Sequence, residues 1–296
     1  MKRVFAAALL VLAIACSRKE TISVGSKNFT ESVLLGEMIA QRLESAGCTV
    51  DRKLDLGGTL VCHKAIVSGD LDVYPEYSGT ALTAILKRPI SSDRAAVMRD
   101  VQREYARRGL QWGPPLGFEN TFAIIVRRAD AEREGLRTIS DLARVADRFR
   151  PGFGYEFVER PDGWSGLQRH YALDITTPPK TMDLGLTYRA LAANSIDVIA
   201  GNSTDGLIDA LGLVVLEDDK RFFPPYDTVI VSRADLGKKC AAAPAALLSL
   251  ANAFDEADMR RLNHAIDAGK RATSASRPYN PRSRTARLEC SPQPGR

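Results

Sequence analysis

Cysteine, histidine and serine are the side chains best suited to covalent or metal chemistry, and in this chain they are few and scattered. The 296 residues hold five cysteines and three histidines. His63, His170 and His264 lie far apart in sequence, and no cysteine or histidine pair has the short spacing of a zinc site. Gly163-Trp164-Ser165-Gly166 places a serine in a glycine-flanked turn, but the spacing is not that of a nucleophile elbow and no apolar strand runs straight into Ser165. Phosphate-loop and zinc-protease motifs are absent. An exported hydrolase is therefore the weakest of the readings, and no cofactor or metal is expected. Disulfide chemistry remains. Cys16 belongs to a leader, which leaves Cys48, Cys62, Cys240 and Cys290, an even number and enough for two bridges. Sequence spacing favours Cys48 with Cys62 and Cys240 with Cys290, the second tying down the end of the chain.

The leader is read from Lys2-Arg3, a basic start, followed by the apolar run Val4 to Ile14, which is too short to span a bilayer. Ala13-Ile14-Ala15-Cys16 resembles a bacterial lipobox, with Ala13 departing from the usual larger aliphatic residue. Lipid on Cys16 would then be the only membrane attachment, because no later run approaches 18 apolar residues. The protein is expected outside the cytoplasm, held at a membrane face. Basic residues number 41 against 36 acidic, and without Lys2 and Arg3 the balance is 39 against 36. That bias is too weak to imply a nucleic-acid partner. A hydrophobic fraction of 45% is ordinary for a globular chain of one large domain or two smaller ones.

From Ile22 onward, short β-branched runs alternate with amphipathic helical segments, the pattern of an α/β fold with mostly parallel strands. Strands are expected at Ile22–Gly25, Thr49–Leu54, Leu71–Tyr74, Phe122–Val126, Phe153–Phe157, Ile196–Ala200, Leu213–Leu216 and Thr228–Ser232. Asn28 or Thr30 can cap the first helix, Gly69 closes the helix begun at Thr59, and Thr138-Ile139-Ser140-Asp141 opens another. A helical region is expected over Pro244–Lys270. The simplest organisation is two α/β lobes connected twice. It runs as leader 1–16, tether 17–21, first lobe 22–119, second lobe 120–224, return to the first lobe 225–272, and a Ser-, Arg- and Pro-rich tail 273–296. Lobes joined by two crossings can close like a hinge on a small molecule.

The specific signal is an ordered set of blocks: Gly25-Ser26-Lys27-Asn28-Phe29-Thr30-Glu31, Leu56-Gly57-Gly58-Thr59, and Gly69-Asp70-Leu71-Asp72-Val73-Tyr74-Pro75-Glu76-Tyr77-Ser78-Gly79-Thr80. These are followed by Phe118-Glu119-Asn120-Thr121, Glu156 to Gly163, Ser203-Thr204-Asp205-Gly206, and Leu216 to Tyr226. From Ile22 to about Lys270 the chain resembles the substrate-binding proteins of ABC importers for glycine betaine, choline, carnitine and related osmoprotectants. The resemblance implies a type II periplasmic-binding-protein fold, a monomer that holds its ligand between two lobes and delivers it to a permease with its ATPase. A sensor, or an importer component for a different small zwitterion, would use the same fold.

Such ligands explain the residues the resemblance brings. A trimethylammonium group is a cation with no N–H, so the negative faces of aromatic rings hold it better than a hydrogen-bonding carboxylate does. A ligand carboxylate at the other end needs N–H or O–H donors, which a helix N-terminus supplies. The resemblance places Tyr77 and Tyr226 in an aromatic cage and Thr80 as a carboxylate donor. Phe122 stands where relatives carry a third aromatic, usually Tyr. Asn202 stands at a fourth aromatic position, and the missing ring is worth roughly 0.5–2 kcal/mol, or two- to thirty-fold in affinity. Asn202 can equally cap the following helix. Ser32 replaces a Gln often found after Thr-Glu. Arg160-Pro161-Asp162 resembles a loop that lines the cleft, with no ligand contact assigned to Arg160. Trp164 is expected to pack beneath that turn.

Overall fold

A computed structural model describes residues 20–267. Ten strands form two sheets: β1 (Thr21–Gly25), β2 (Thr49–Lys53), β3 (Val73–Tyr77), β4 (Leu110–Glu119), β5 (Phe122–Arg127), β6 (Pro151–Phe153), β7 (Lys180–Thr181), β8 (Val198–Asn202), β9 (Leu213–Leu216) and β10 (Asp227–Arg233). The strand orders are β2-β1-β3-β10-β4 and β7-β6-β8-β5-β9. In the Thr30–Ser45 helix, Leu34, Leu35, Met38, Ile39 and Leu43 recur at helical spacing, and all are buried against Ile22, Val24 and Val73 of the first sheet. Val126, Phe153, Val198 and Ala200 do the same work in the second sheet, beneath Leu142, Leu167 and Tyr171 from its covering helices.

Both sheets are mixed rather than mostly parallel. β1 runs parallel to β2 and β3, and β6 to β7 and β8, whereas β10 is antiparallel to β3 and β4, and β5 to β8 and β9. The reason is the double crossing. β5 and β10 are the strands by which the chain enters each lobe from the other, so they run against the local parallel units. The two crossings lie side by side, with the Asn120 amide donating to the Tyr226 carbonyl at 3.2 Å.

Several local expectations change. Phe153 ends β6, and Gly154 starts the Tyr155–Glu159 helix in place of a strand continuing to Phe157. β4 was not expected: it alternates buried Leu110, Trp112, Leu116 and Phe118 with more exposed positions but contains Pro114 and Pro115, which it tolerates because it is an edge strand. The expected C-terminal helix is two, Ala243–Leu248 and Glu256–Asp267. Neither Asn28 nor Thr30 caps the first helix: Phe29 is the N-cap and Thr30 Oγ1 donates to Asp267 at 2.9 Å. Gly69 does close its helix, at a φ of 89°, and Thr138 with Asp141 forms a capping box.

The cysteine pairing is also different. Cys48 is bonded to Cys240, 192 residues away in sequence. The Thr30–Ser45 and Ala243–Leu248 helices pack in one apolar cluster that includes Cys48, so the pair meets there. Cys62 cannot reach it: its thiol is buried at the start of another helix, facing the Ser26 carbonyl at 3.3 Å, and burial pushes it up to about 11. Cys16, Cys290, the leader and the 273–296 tail lie outside the described residues. Among the described residues no helix is long and apolar enough to cross a membrane, and no cluster of His, Cys, Asp or Glu could hold a metal.

Candidate functional site

A cleft of about 850 Å³ opens between the sheets, and Tyr77, Thr80, Phe122, Asn202 and Tyr226 all line it. They arrive from different places. Tyr77 ends β3 and is the N-cap of the Ser78–Thr80 turn, which places Thr80 one turn into the cleft. The turn continues as a π-helical segment, Ala81–Ile85, a distortion frequent at functional sites. Gly79 is needed there: a β-carbon would come within 2.7 Å of the Tyr226 ring and 2.9 Å of Pro224. Phe122 begins β5 and Asn202 ends β8, and they face each other in register. Trp164 is buried against Phe153, and Ser165 is exposed on the first turn of its helix.

The residue that organises the cleft is Arg160. Its guanidinium is buried 4.8 Å from the Phe122 ring centre and 5.8 Å from that of Tyr226. It donates to Thr80 Oγ1 at 3.0 Å and pairs with Asp162 at 2.9 and 2.5 Å. Burial alone would lower the guanidinium, but Tyr226 and Asp162 outweigh it and the group is held above its ordinary value. Asp162, which burial would raise, is held below the usual carboxylate range by Arg160. Burial pushes the Tyr226 phenol up, and its hydroxyl donates to Asp162. Thr80 Oγ1 accepts from Arg160, so its own proton remains available to an acceptor in the cleft.

Sequence reasoning gave Arg160 no ligand contact because an arginine in a Pro-Asp-Gly turn reads as surface, and only the fold shows it buried. It also passed over Phe29, whose ring lies 5.9 Å from Tyr77, and Lys27, whose ammonium sits 5.1 Å from the Tyr77 ring centre and pairs with buried Glu76. Both belong to the Gly25–Glu31 block, so a signal was present. Ser32 is buried and accepts the Lys27 amide at 2.8 Å, fixing that loop instead of facing the cleft. Asn202 does not cap a helix: it donates to Asp205.

Glu31 joins the lobes beneath the cleft. Its carboxylate accepts from Tyr77 at 2.8 Å, Asn120 at 2.9 Å, Thr204 at 2.5 Å and Asn263 at 3.1 Å. Burial outweighs these four bonds and pushes the carboxyl up. At the cleft mouth Glu156, from the second lobe, accepts the Thr59 amide at 2.8 Å and its hydroxyl at 3.2 Å in the first. Thr83 donates to Asp162 at 2.9 Å, a further bond between the lobes.

This fold and cleft have counterparts. The family described as the substrate binding domain of ABC-type glycine betaine transport system matches residues 20–279. The ergothioneine transport permease/ergothioneine binding protein EgtU of Helicobacter pylori (strain G27) is 32% identical over 270 residues, which is 90% of this chain and 48% of that one. The chain thus spans about half the length of that relative. The carnitine transport binding protein OpuCC of Listeria monocytogenes serotype 1/2a (strain 10403S) is 32% identical over 255 residues, 85% of this chain and 82% of that one. A crystal structure described as a glycine betaine/carnitine/choline ABC transporter superposes with a TM-score of 0.72 at 30% identity, covering 86% of this chain and 95% of that one.

Proposed function

The chain belongs to the substrate-binding domains of ABC-type glycine betaine transport systems, and from that premise we propose that its cleft binds a quaternary-ammonium acid. The family is one of extracytoplasmic binding proteins that serve a permease, and it is not enzymatic. The ligand takes its place by charge. Tyr77, Phe122 and Tyr226 offer ring faces to the trimethylammonium group, and Arg160 with Thr80 meets the carboxylate. The observation that carries this reading is that these rings already hold cations: Lys27 lies over Tyr77, and Arg160 over Phe122 and Tyr226, all within 6 Å. A ring has two faces, so a bound ammonium can share it with a side-chain cation.

Carnitine and ergothioneine, named for two relatives, are both trimethylammonium acids, and glycine betaine is the smallest member of that class. Lipid on Cys16 would tether the loaded protein beside its permease. Calorimetric titration with glycine betaine, carnitine and choline tests the assignment. Saturable one-to-one binding is expected, and Arg160→Gln should weaken both acids by roughly ten- to hundred-fold, the worth of a charged hydrogen bond, while choline changes much less. Equal losses for all three would remove Arg160 from the carboxylate end, and no binding of any would remove the ligand class.

A further inference from the structure

Both tyrosines that offer a ring face to the cleft donate their hydroxyls to buried carboxylates, Tyr77 to Glu31 at 2.8 Å and Tyr226 to Asp162. Phe122, the third ring, has no hydroxyl to give. The two carboxylates differ in their company. Asp162 is paired with Arg160, which offsets its charge. Glu31 has no Lys or Arg partner among the described residues, and it does not line the cleft. Its Oε1 accepts from the Tyr77 hydroxyl and from Asn120 Nδ2 at 2.9 Å, and its Oε2 from the Thr204 hydroxyl at 2.5 Å and from Asn263 Nδ2 at 3.1 Å. Each oxygen thus takes one hydroxyl and one amide, which suits an ionised, acceptor-only carboxylate. The Lys27 ammonium over the Tyr77 ring is met by Glu76, so it leaves the charge of Glu31 unpaired.

A phenol that donates to a carboxylate is polarised by it: electron density moves onto its oxygen and ring, and the ring face holds a cation more strongly. A carboxylate set against a quaternary nitrogen would receive no hydrogen bond, since that nitrogen has no N–H. Behind the ring, the same charge satisfies its lone pairs with protein donors and still acts on the cation. We infer that Glu31 is a positioning residue for cation recognition: its charge, acting through the Tyr77 hydroxyl and ring, sets how strongly the cleft prefers an ammonium over a neutral group of the same shape. The inference rests on the trimethylammonium-acid reading above and adds to it a residue that never touches the ligand. Glu31 also ties Tyr77 to Thr204 of the second lobe, but a role confined to packing or closure would serve charged and neutral ligands alike.

The test compares glycine betaine with tert-butylacetic acid, in which a carbon replaces the quaternary nitrogen, so that the shape and the carboxylate stay and the positive charge goes. Glycine betaine is titrated calorimetrically at mildly alkaline pH, where a raised carboxyl is charged, and its carbon isostere is measured by displacement of glycine betaine. Wild type, Glu31→Gln, Tyr77→Phe and the double variant are compared, each with a thermal melt. Wild type is expected to prefer glycine betaine by at least about ten-fold, from the ring contacts. Glu31→Gln should narrow that preference by roughly three- to ten-fold, mostly through weaker glycine betaine binding. Tyr77→Phe keeps the ring and loses the hydroxyl, so it should narrow the preference similarly, and the double variant should narrow it no further than either single one. Equal weakening of both ligands by Glu31→Gln would make Glu31 structural and overturn the inference. A preference unchanged in Glu31→Gln, or losses that add in the double variant, overturns it too. Should Glu31→Gln melt early, Tyr77→Phe decides, and an unchanged preference there overturns the inference while the trimethylammonium-acid reading stands. If the wild type does not bind glycine betaine, or does not distinguish it from its isostere, the underlying reading fails and the inference fails with it.

Discussion

Tyr77 and Tyr226 each present a ring to the cleft and a hydroxyl to a buried carboxylate, Glu31 and Asp162 respectively. Replacing either ring by an aliphatic of similar bulk separates cation binding from simple packing. Tyr77→Leu and Tyr226→Leu are each expected to weaken glycine betaine by roughly two- to thirty-fold, measured by titration alongside a thermal melt that shows the protein folded. Unchanged affinity in both would remove the cage. Tyr77 and Thr80 were pointed to by the family resemblance of the Gly69–Thr80 block, and both line the cleft. Arg160 was not: its role comes from burial between Phe122, Tyr226 and Thr80, three residues distant from it in sequence. Asn202 was legible as a departure, but its orientation was not, since the Asp205 and Tyr188 contacts that fix it exist only once β8 and the Leu184–Ala192 helix are packed.

At the scale of elements, β5, β6 and β8 must hold their register for Phe122 to face Asn202. Asp197 secures that region by accepting from Arg150 at 2.6 Å and pairing with Arg127 at 2.5 Å. Burial would raise this carboxyl, but the two arginines lower it from 3.8 to about 2. A depressed carboxyl contributes stability that is complete above its unfolded value and is lost as the pH falls through its folded one. Asp197→Asn should therefore be less stable than wild type near neutral pH, with the gap closing between 3.8 and about 2, followed by denaturant unfolding across that window. A gap independent of pH would show that the charge of Asp197 contributes nothing. Helices with clear apolar periodicity, such as Thr30–Ser45, were readable in advance, as were the turns at Gly69 and Thr138. β4 was missed because an edge strand tolerates prolines that would forbid a central one. The Cys48–Cys240 bridge was missed because separation in sequence says nothing about which helices come to lie together.

For the whole molecule, two lobes joined twice were apparent from the repeated α/β pattern, while the antiparallel entry strands follow from the crossings themselves. The lobes touch across the cleft through Glu156 and Thr59, Arg160 and Thr80, and Asp162 and Thr83. Closure and binding are then one equilibrium, and weakening the closed form lowers affinity without touching the ligand. Glu156→Ala removes the contact at the mouth together with a 3.9 Å ion pair to Arg160, so glycine betaine affinity should fall by about two- to ten-fold, the worth of one or two exposed hydrogen bonds. X-ray scattering should show a larger mean radius at the same sub-saturating ligand concentration, and an unchanged radius and affinity would mean that Glu156 does not help closure. A crystal structure of the protein with glycine betaine would reveal directly how a trimethylammonium acid is oriented in the cleft. Methyl groups are expected against the rings of Tyr77, Phe122 and Tyr226, with carboxylate oxygens about 2.7–3.2 Å from the Arg160 guanidinium and Thr80 Oγ1. A ligand bound outside the cleft, or one with its carboxylate turned away from Arg160, would contradict it.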